Sequence, residues 1–305
     1  MRRIAEHREK LTEKKINAIS NSLMKGLKSF VSDAYEKYSS EDGRLYIADL
    51  EKHRKMAWFL NEIVANCDEF TPALKKEMTA LIDETYKKSY DGMASAVQKV
   101  ANTDELKEIL KDTRVQPDVL RQAVNNNVSK LTLDPVMQKY RGEIIYQLQQ
   151  ELVNGLRNGD RYEQMAKRIT ERVNISKSKA MNIVRTESHR NVEAGMMDCA
   201  ENIQKSMEGT EYIYAATWRT MKDERVRPNQ RVKTKKGWKT YKGNGANHQK
   251  MEGQTVKVGE EFSLGGGVKA KAPGQSGVAG HDCNCRCFLE YNLMTVEEFA
   301  KSTNK

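Results

Sequence analysis

A run of potential metal ligands lies in the segment GHDCNCRCFLEY, residues 280–291. Cys283, Cys285 and Cys287 alternate with polar residues directly after His281, and they lead into a short β-prone stretch. Side chains alternate along a strand, so the three sulfur atoms are predicted to lie on one face. Thiolates and imidazoles are preferred ligands of zinc. This segment therefore indicates either a metal site or a tightly folded structural element.

The candidate metal ligands are Cys285, Cys287, His248 and His281, with Asp223 as a further source of oxygen. Together they could form a tetrahedral zinc site. The common zinc pattern places two residues between paired cysteines, whereas one residue separates this pair. The alternative is that both cysteines are buried as small hydrophobic side chains. A disulfide is disfavoured in a reducing cytosol. If the cysteines bind a metal, the expected cofactor is zinc; if they do not, no cofactor is expected.

Five charged residues form a candidate polar network: Asp223, Arg225, Arg227, Arg185 and Glu187. The first three occupy alternate positions after a predicted strand, where they could bind phosphates or a carboxylate. The alternative, which we favour, is a local network in which Asp223 bonds turn amides or pairs with Arg286. Arg185 and Glu187 lie two apart on a predicted helix and cannot face each other. We expect each to reach a different neighbour and to tie the helix to the C-terminal domain.

A basic segment precedes the cysteines. The candidate DNA-binding residues are Arg231, Lys233, Lys235, Lys236, Trp238, Lys239 and Lys242. Cations that neutralise phosphates release counterions, and aromatic rings stack on unpaired bases. Gly237 is expected to supply the positive φ of a hairpin turn. The segment is either a DNA-binding hairpin or an ordinary solvated one. His7, His53 and His189 lie on predicted helices and receive no role.

Helices are predicted over most of the first 205 residues, because apolar residues recur at intervals of three and four. The predicted helices include Tyr46–Asn66, Thr71–Val100, Asp104–Leu110 and Pro135–Gly155, with breaks at residues 116–118 and 133–135. Two separate helices are expected next. Asp160 would cap the first, with Glu163 in a capping box, and Ser176 would open the second.

After Gly209 the pattern changes to strands. Residues Tyr212–Trp218 alternate, and β-prone pieces follow at Lys239–Tyr241, Thr255–Val258 and Arg286–Tyr291. Leu264–Gly280 is predicted to be a long loop, and Thr295 to cap a short helix. The fold class is mainly α, with a long N-terminal helical region followed by a small α+β C-terminal domain. The predicted divisions are residues 1–150, 151–208, 209–291 and a tail, 292–305.

Composition limits the classes of function. The 305 residues carry a formal charge of +10, which favours a polyanionic partner such as nucleic acid. No apolar run is long enough for a membrane span, and the N-terminal residues do not read as a signal peptide. Five cysteines, three of them clustered, do not make a disulfide framework. Folding in the cytoplasm is expected.

Residues 150–291 resemble the phage minor head protein family, the Mu F-like head morphogenesis proteins. Three parts, in this order, carry the resemblance. The first is a helix with Ala180, Arg185-Thr186-Glu187, Asn191 and Gly195, and the second runs from Trp218-Arg219-Thr220 through Asp223–Arg227 and continues to His248 and Glu252-Gly253. The third comprises Gly259–Phe262, a glycine-rich loop with Pro273-Gly274, and Asn284–Cys287. Two features depart from the family pattern. The basic segment is inserted before His248, and Cys283 is additional.

The resemblance implies a structural minor head protein of a tailed bacteriophage, without enzymatic activity, that acts in head morphogenesis. Its implied place is the virion head, after assembly in the host cytoplasm. The implied partners are the portal protein, other head components and packaged DNA, with no membrane and no small-molecule substrate. One alternative is a zinc-dependent hydrolase or nuclease that uses His248 and Asp223 beside the cysteines. A stand-alone DNA-binding module is another. An ADP-ribosyltransferase could use an arginine and a glutamate, but the sequence shows no nucleotide pocket.

Overall fold

The computed structural model describes residues 2–101, 103–110, 128–223, 225–234, 237–242 and 246–303. The helices are α1 (Arg2–Tyr38), α2 (Ile47–Lys52), α3 (Met56–Val100), α4 (Asp104–Ile109), α5 (Val128–Arg157), α6 (Tyr162–Ser206), α7 (Ala279–Asp282) and α8 (Val296–Thr303). The strands are β1 (Tyr212–Thr220), β2 (Asn229–Thr234), β3 (Gly237–Lys242), β4 (Thr255–Lys257), β5 (Phe262–Gly265), β6 (Val268–Ala270) and β7 (Cys287–Thr295), with a 3₁₀ helix at His248–Met251. The predicted fold class, mainly α with a small α+β C-terminal part, is confirmed. The predicted break at residues 116–118 lies outside the described part of the chain.

The helix boundaries near residues 50–75 differ from the prediction. Helix α2 ends at Lys52 in a Schellman motif, in which Arg54 adopts φ 56° and the Lys55 amide donates to the Leu50 carbonyl at 2.7 Å. Helix α3 then runs for 45 residues and includes Pro72, where we predicted a new helix to begin. Proline removes one backbone hydrogen bond, and the buried apolar stripe of α3 outweighs that loss.

Two predicted breaks in the later helices are wrong. Helix α5 begins before Pro135 and continues through it. Helix α6 is one helix of 45 residues, and Ser176 is buried within it, where its carbonyl accepts a hydrogen bond from the Tyr140 hydroxyl at 3.0 Å. Asp160 does not cap α6, because the helix begins at Tyr162 and the residue before it is Arg161, whose amide donates to Gln164 Oε1 at 2.8 Å. The carboxylate of Asp160 instead accepts from Arg168 Nε at 2.6 Å.

The described chain forms two units, each discontinuous in sequence. The helical unit comprises Glu9–Leu81 and Lys130–Val184. Within it, the rings of Phe30 and Phe59 meet edge to face at 5.3 Å between centroids. Arg172 pairs with Glu151 at 2.6 Å. The predicted divisions of the chain at residues 150, 208 and 291 stay a prediction.

The mixed unit comprises the described residues of 1–8, 82–129 and 185–305. Its three-stranded antiparallel sheet has the order β4-β1-β7, and β1 pairs with β7 from Tyr212↔Thr295 to Thr220↔Cys287. Fully buried Trp218 lies at its core, 5.2 Å from the ring of Phe262. In this unit α3 and α6 pack closely, and the hydroxyl of Tyr86 donates to Asp198.

Part of the predicted loop Leu264–Gly280 is ordered secondary structure. Strands β5 and β6 form a hairpin, and Gly266 and Gly267 turn it with φ of 60° and 80°. Thr295 caps α8 as predicted, because its hydroxyl accepts from the Glu298 amide at 3.2 Å. None of the described helices has the length and the apolar composition of a membrane-spanning segment.

Candidate metal centre

The mixed unit brings three predicted metal ligands together. His248 Nδ1 lies 3.5 Å from the sulfur of Cys285 and 3.3 Å from the sulfur of Cys287. All three residues are buried, and their donor atoms lie within 4.8 Å of one another. Soft sulfur and nitrogen donors at this spacing could hold one metal ion. We refer to His248, Cys285 and Cys287 as the ligand cluster.

Three local elements position this cluster. His248 begins the 3₁₀ helix, whose N-cap residue Asn247 accepts from the Lys250 amide at 3.4 Å. Cys287 begins β7 opposite Thr220 of β1. Between the cysteines and α7, Asn284 adopts φ 51°, a left-handed conformation that asparagine tolerates.

Cys283 does not join the cluster. It is exposed and follows α7, so it lies outside the strand, which begins only at Cys287. The prediction that the three sulfur atoms share one strand face is therefore wrong. The left-handed turn at Asn284 separates Cys283 from the two buried cysteines.

His281 is near the cluster but meets the outer side of His248. Its Nδ1 lies 3.1 Å from His248 Nε2, and the two rings stack at 5.3 Å between centroids. The two imidazole nitrogens of His248 thus have different neighbours, with sulfur at Nδ1 and nitrogen at Nε2. Burial, followed by the charges of His248 and Arg227, lowers the pKa of His281.

His189 of α6 is a neighbour of the cluster that the sequence analysis missed. Its side chain hydrogen-bonds the thiol of Cys285, and its Nε2 atom is buried. Helix α6 brings this imidazole to the cysteines from a distant part of the sequence. The periodicity of a helix carries no signal for such a contact.

The two buried cysteines form a hydrogen-bonded pair. The contact with Cys287 lowers the pKa of Cys285, with contributions from His189 and His248, although burial opposes the shift. The same contact, together with burial, raises the pKa of Cys287. The two shifts therefore favour ionisation of Cys285 over ionisation of Cys287.

Asp223 belongs to a separate ion-paired group. Its Oδ2 accepts from Arg286 Nη2 at 2.6 Å and Nε at 2.8 Å, and its Oδ1 accepts from the amide of Arg225 at 3.1 Å. Burial raises the pKa of Asp223, but the bonds and charges of Arg286 and Arg225 outweigh it and leave the pKa below its ordinary value. Among the described residues, Asp223 does not share the metal-binding group of His248.

The other members of the predicted polar network lie apart. Arg227 is buried and donates to the Cys283 carbonyl. Arg185 is exposed, whereas Glu187 accepts from Arg190 at 3.0 Å. Arg190, which the sequence analysis missed, also donates to the Gly274 carbonyl at 2.7 Å. It thus ties α6 to the glycine-rich segment.

Asp282 is a further buried residue that sequence reasoning missed. Its Oδ1 accepts from the hydroxyl of Ser276 at 2.7 Å and from the amide of that residue at 3.0 Å. Its Oδ2 accepts from the Gly277 amide at 2.9 Å. These bonds hold the turn that leads into α7, and α7 carries His281.

The basic segment forms the predicted hairpin of β2 and β3. Lys233 lies opposite Trp238, and Arg231 lies opposite Thr240. Gly237 has φ 105°, as expected for the turn, and Trp238 is 53% exposed. Strand β3 also contains Lys239 and Lys242. Lys235 and Lys236 lie outside the described residues.

Comparison with known proteins gives a consistent family. Residues 146–290 match the family model of Phage Mu protein F like protein. The chain is 30% identical to minor head protein GP7 of Bacillus phage SPP1 over 280 residues, which cover 92% of this chain and 81% of that protein.

It is also 26% identical to the NAD(+)–arginine ADP-ribosyltransferase EFV of Enterococcus faecalis strain V583 over 234 residues, covering 74% of this chain and 41% of that enzyme. No solved structure matches the chain. The similarity to GP7 extends over both the helical unit and the mixed unit. The chain therefore belongs to the phage minor head protein family, whose members are structural components that act in head morphogenesis.

Proposed function

We propose that the protein is a non-enzymatic component of the virion head that binds the portal protein and packaged DNA. The observation that carries this proposal is the similarity to a phage minor head protein along 92% of the chain. A role in assembly requires protein contacts over extended surfaces. The long helices of the chain supply such surfaces.

The geometry around His248 supports a structural role. His248 is 1% exposed, and its Nε2 faces His281. Asp223, the second group of a hydrolase mechanism, is bound to Arg286 and to a turn amide. A hydrolytic zinc site needs an open position for water and a nearby base. Neither residue is placed to provide these in a cleft.

The likeness to EFV does not favour transferase activity. It spans 41% of that enzyme. The arginine and glutamate considered for such chemistry are placed differently here, since Arg185 is exposed and Glu187 is bound by Arg190.

DNA binding is supported by the basic hairpin and by the formal charge of +10. Trp238, which is 53% exposed, pairs with Lys233 in the strand register of the hairpin. Cations beside an exposed aromatic ring suit contact with a phosphate backbone and unpaired bases. Such contact is independent of base sequence.

Purified full-length protein should co-sediment with assembled portal protein and show no turnover of DNA, peptide, phosphoester or NAD⁺. The portal assembly alone and an unrelated ring-shaped protein serve as controls. Hydrolysis that disappears in His248→Ala but persists in His7→Ala, where the histidine is exposed, would overturn the non-enzymatic assignment. Absence of co-sedimentation would overturn the portal assignment.

A further inference from the structure

We propose that the mixed unit carries a closed structural zinc site whose four ligands are Cys285, Cys287, His248 and His189. In this arrangement His281 binds the outer nitrogen of His248 and is not a ligand. The proposal concerns the stability of the mixed unit and does not depend on portal or DNA binding.

The spacing of the known donors fits a tetrahedral zinc ion. Zinc–nitrogen bonds of about 2.0–2.1 Å and zinc–sulfur bonds of about 2.3 Å place tetrahedral nitrogen and sulfur donors roughly 3.5 Å apart. His248 Nδ1 lies 3.5 Å from Cys285 Sγ and 3.3 Å from Cys287 Sγ. An ion can therefore enter between the three donors with little rearrangement.

The contacts of His248 place His281 outside the ligand shell. The two ring nitrogens of an imidazole point to different sides, and His281 lies against Nε2, 3.1 Å away. When His248 Nε2 carries the proton and donates it to His281 Nδ1, His248 Nδ1 presents a lone pair to the metal. A metal-bound histidine ordinarily donates its other ring N–H to an acceptor that fixes its orientation. His281 fills that role.

Among the described residues, the donor atoms that already lie within 4.8 Å of one another are those of His248, Cys285 and Cys287. His189 is the histidine that would turn toward the ion to complete the set. It hydrogen-bonds the thiol of Cys285, and its Nε2 is buried. The backbone beside it is held by Arg190, which donates to the Gly274 carbonyl at 2.7 Å. A Cβ atom on Gly274 would lie 3.7 Å from Cδ2 of His189, so this glycine closes one side of the imidazole.

Two thiolates and two imidazoles make a full tetrahedral set of the kind found in structural zinc sites. With four protein ligands the ion has no free position for water, so the site is structural and not hydrolytic. The ligands come from α6, the 3₁₀ helix and the start of β7. One ion would cross-link these three segments of the mixed unit.

The test uses full-length protein purified without chelator. Mass spectrometry of the metal content should find one zinc per chain. Protein reconstituted with Co²⁺ should show sulfur-to-cobalt charge transfer and the intense visible bands of a tetrahedral site. Cys283→Ser, which removes the exposed cysteine, is the matched control and should keep both signals.

The two histidine variants decide the fourth ligand. His189→Ala should open the coordination shell, weaken the visible cobalt bands and lower zinc affinity by about 100-fold or more. His281→Ala should keep the tetrahedral spectrum, with affinity lowered by about 10–100-fold, as for loss of an outer partner. The opposite result, a wild-type spectrum in His189→Ala and an altered one in His281→Ala, would overturn the assignment of His189.

Wild-type protein supplies the check if a variant does not fold. A chelator should remove the zinc and lower the melting temperature, and added zinc should restore it. Wild-type protein that binds neither zinc nor cobalt, and melts identically with and without chelator, would sink the proposal. Portal co-sedimentation by the same protein would still stand, so the two proposals fail independently.

Discussion

Arg286 contacts Asp223 at 2.6 and 2.8 Å, while the cysteines on either side of it in sequence contact His248. Alternation along an extended segment directs Arg286 and the two cysteines to opposite sides. The ion pair and the ligand cluster therefore share three consecutive residues. A change that moves Arg286 is transmitted directly to the positions of both sulfur atoms.

Arg286→Gln is expected to destabilise the mixed unit by about 1 kcal/mol, because both partners of the ion pair remain partly exposed to solvent. Urea unfolding measures the change. Arg185→Gln, which alters an exposed arginine of α6, should stay within about 0.5 kcal/mol of wild type. An Arg286 variant as stable as this control would show that the pair contributes nothing to the fold.

Acid should weaken the fold through two carboxyl groups. Arg286 and Arg225 hold the pKa of Asp223 below its ordinary 3.8 although burial opposes them, and the bonds of Thr220 likewise hold that of Glu252 below 4.5 against burial. Since both pKa values are lower in the folded chain, their stabilising contribution is present at neutral pH. It is lost as the pH falls through these values.

The free energy of unfolding should accordingly begin to fall below about pH 5, where these carboxyl groups start to bind protons in the unfolded chain. Urea titrations above and below this pH measure it. Asp223→Asn should reduce the slope, because the variant lacks one of the two groups. An unchanged slope in that variant would assign the acid sensitivity to other carboxyl groups.

Gly195→Ala should destabilise the chain by about 1–3 kcal/mol. A Cβ atom there would lie 2.5 Å from the backbone carbonyl oxygen of Tyr86, so α6 must move away from α3 within the mixed unit. Gly142→Ala is the matched control, since the new methyl group would meet nothing within 4 Å. It should stabilise by about 0.5–1 kcal/mol, as alanine does in a helix. Thermal and urea unfolding of both variants measure this contrast, which disappears if the close approach of the helices is absent.

Cys287→Ser places a hydroxyl in a buried site and should cost about 1–3 kcal/mol in chelator-treated protein. In protein loaded with zinc the loss should be larger, because a ligand is removed as well. Thermal melts with and without chelator separate the two contributions. Cys283→Ser should melt like wild type under both conditions, since this cysteine is exposed. A Cys287 variant that also melts like wild type would show that the cysteine is neither a ligand nor part of the core.

Replacement of Lys235, Lys236 and Lys239 by glutamine should flatten the salt dependence of DNA binding. Three lost phosphate contacts lower the slope of log K against log salt concentration by roughly 2–3. Fluorescence anisotropy with labelled DNA measures the slope. The control replaces Lys10, Lys14 and Lys37, exposed lysines of α1, by glutamine. Equal slopes in the two triple variants would show that the hairpin does not contact DNA.

The type and order of elements could be predicted because apolar periodicity records which face is buried. The positions at which the helices begin and end were harder to predict. Arg54 ends a helix in a left-handed conformation, a position at which the sequence usually has a glycine. Pro72 lies inside a helix that its buried apolar residues stabilise. Ser176 has the chemistry of a cap, but its site is buried in the middle of α6. In both α3 and α6, tertiary packing outweighed the local preference of a residue to begin or end a helix.

The candidate site was visible where its ligands are close in sequence. Cys285 and Cys287 stand out by type and spacing, and they lead to His248 through the family pattern. His189 and Asp282 could not be found in this way, because their roles depend on contacts that only the folded chain makes. Cys283 lies outside the ligand cluster because Asn284, which follows it, adopts a left-handed conformation and turns the chain.

Strand β1 lies between β4 and β7 in the sheet, and its pairing with β7 runs the whole length from Tyr212 to Thr220. During synthesis β1 leaves the ribosome well before β7. Until β7 arrives, a nascent chain presents one unpaired edge of β1, and the ring of Tyr214 lacks its stacking partner Tyr291. Unpaired strand edges with apolar side chains promote association between chains. A chain that stops before Cys287 is therefore expected to aggregate, and protection of this edge by a chaperone would matter most in that interval.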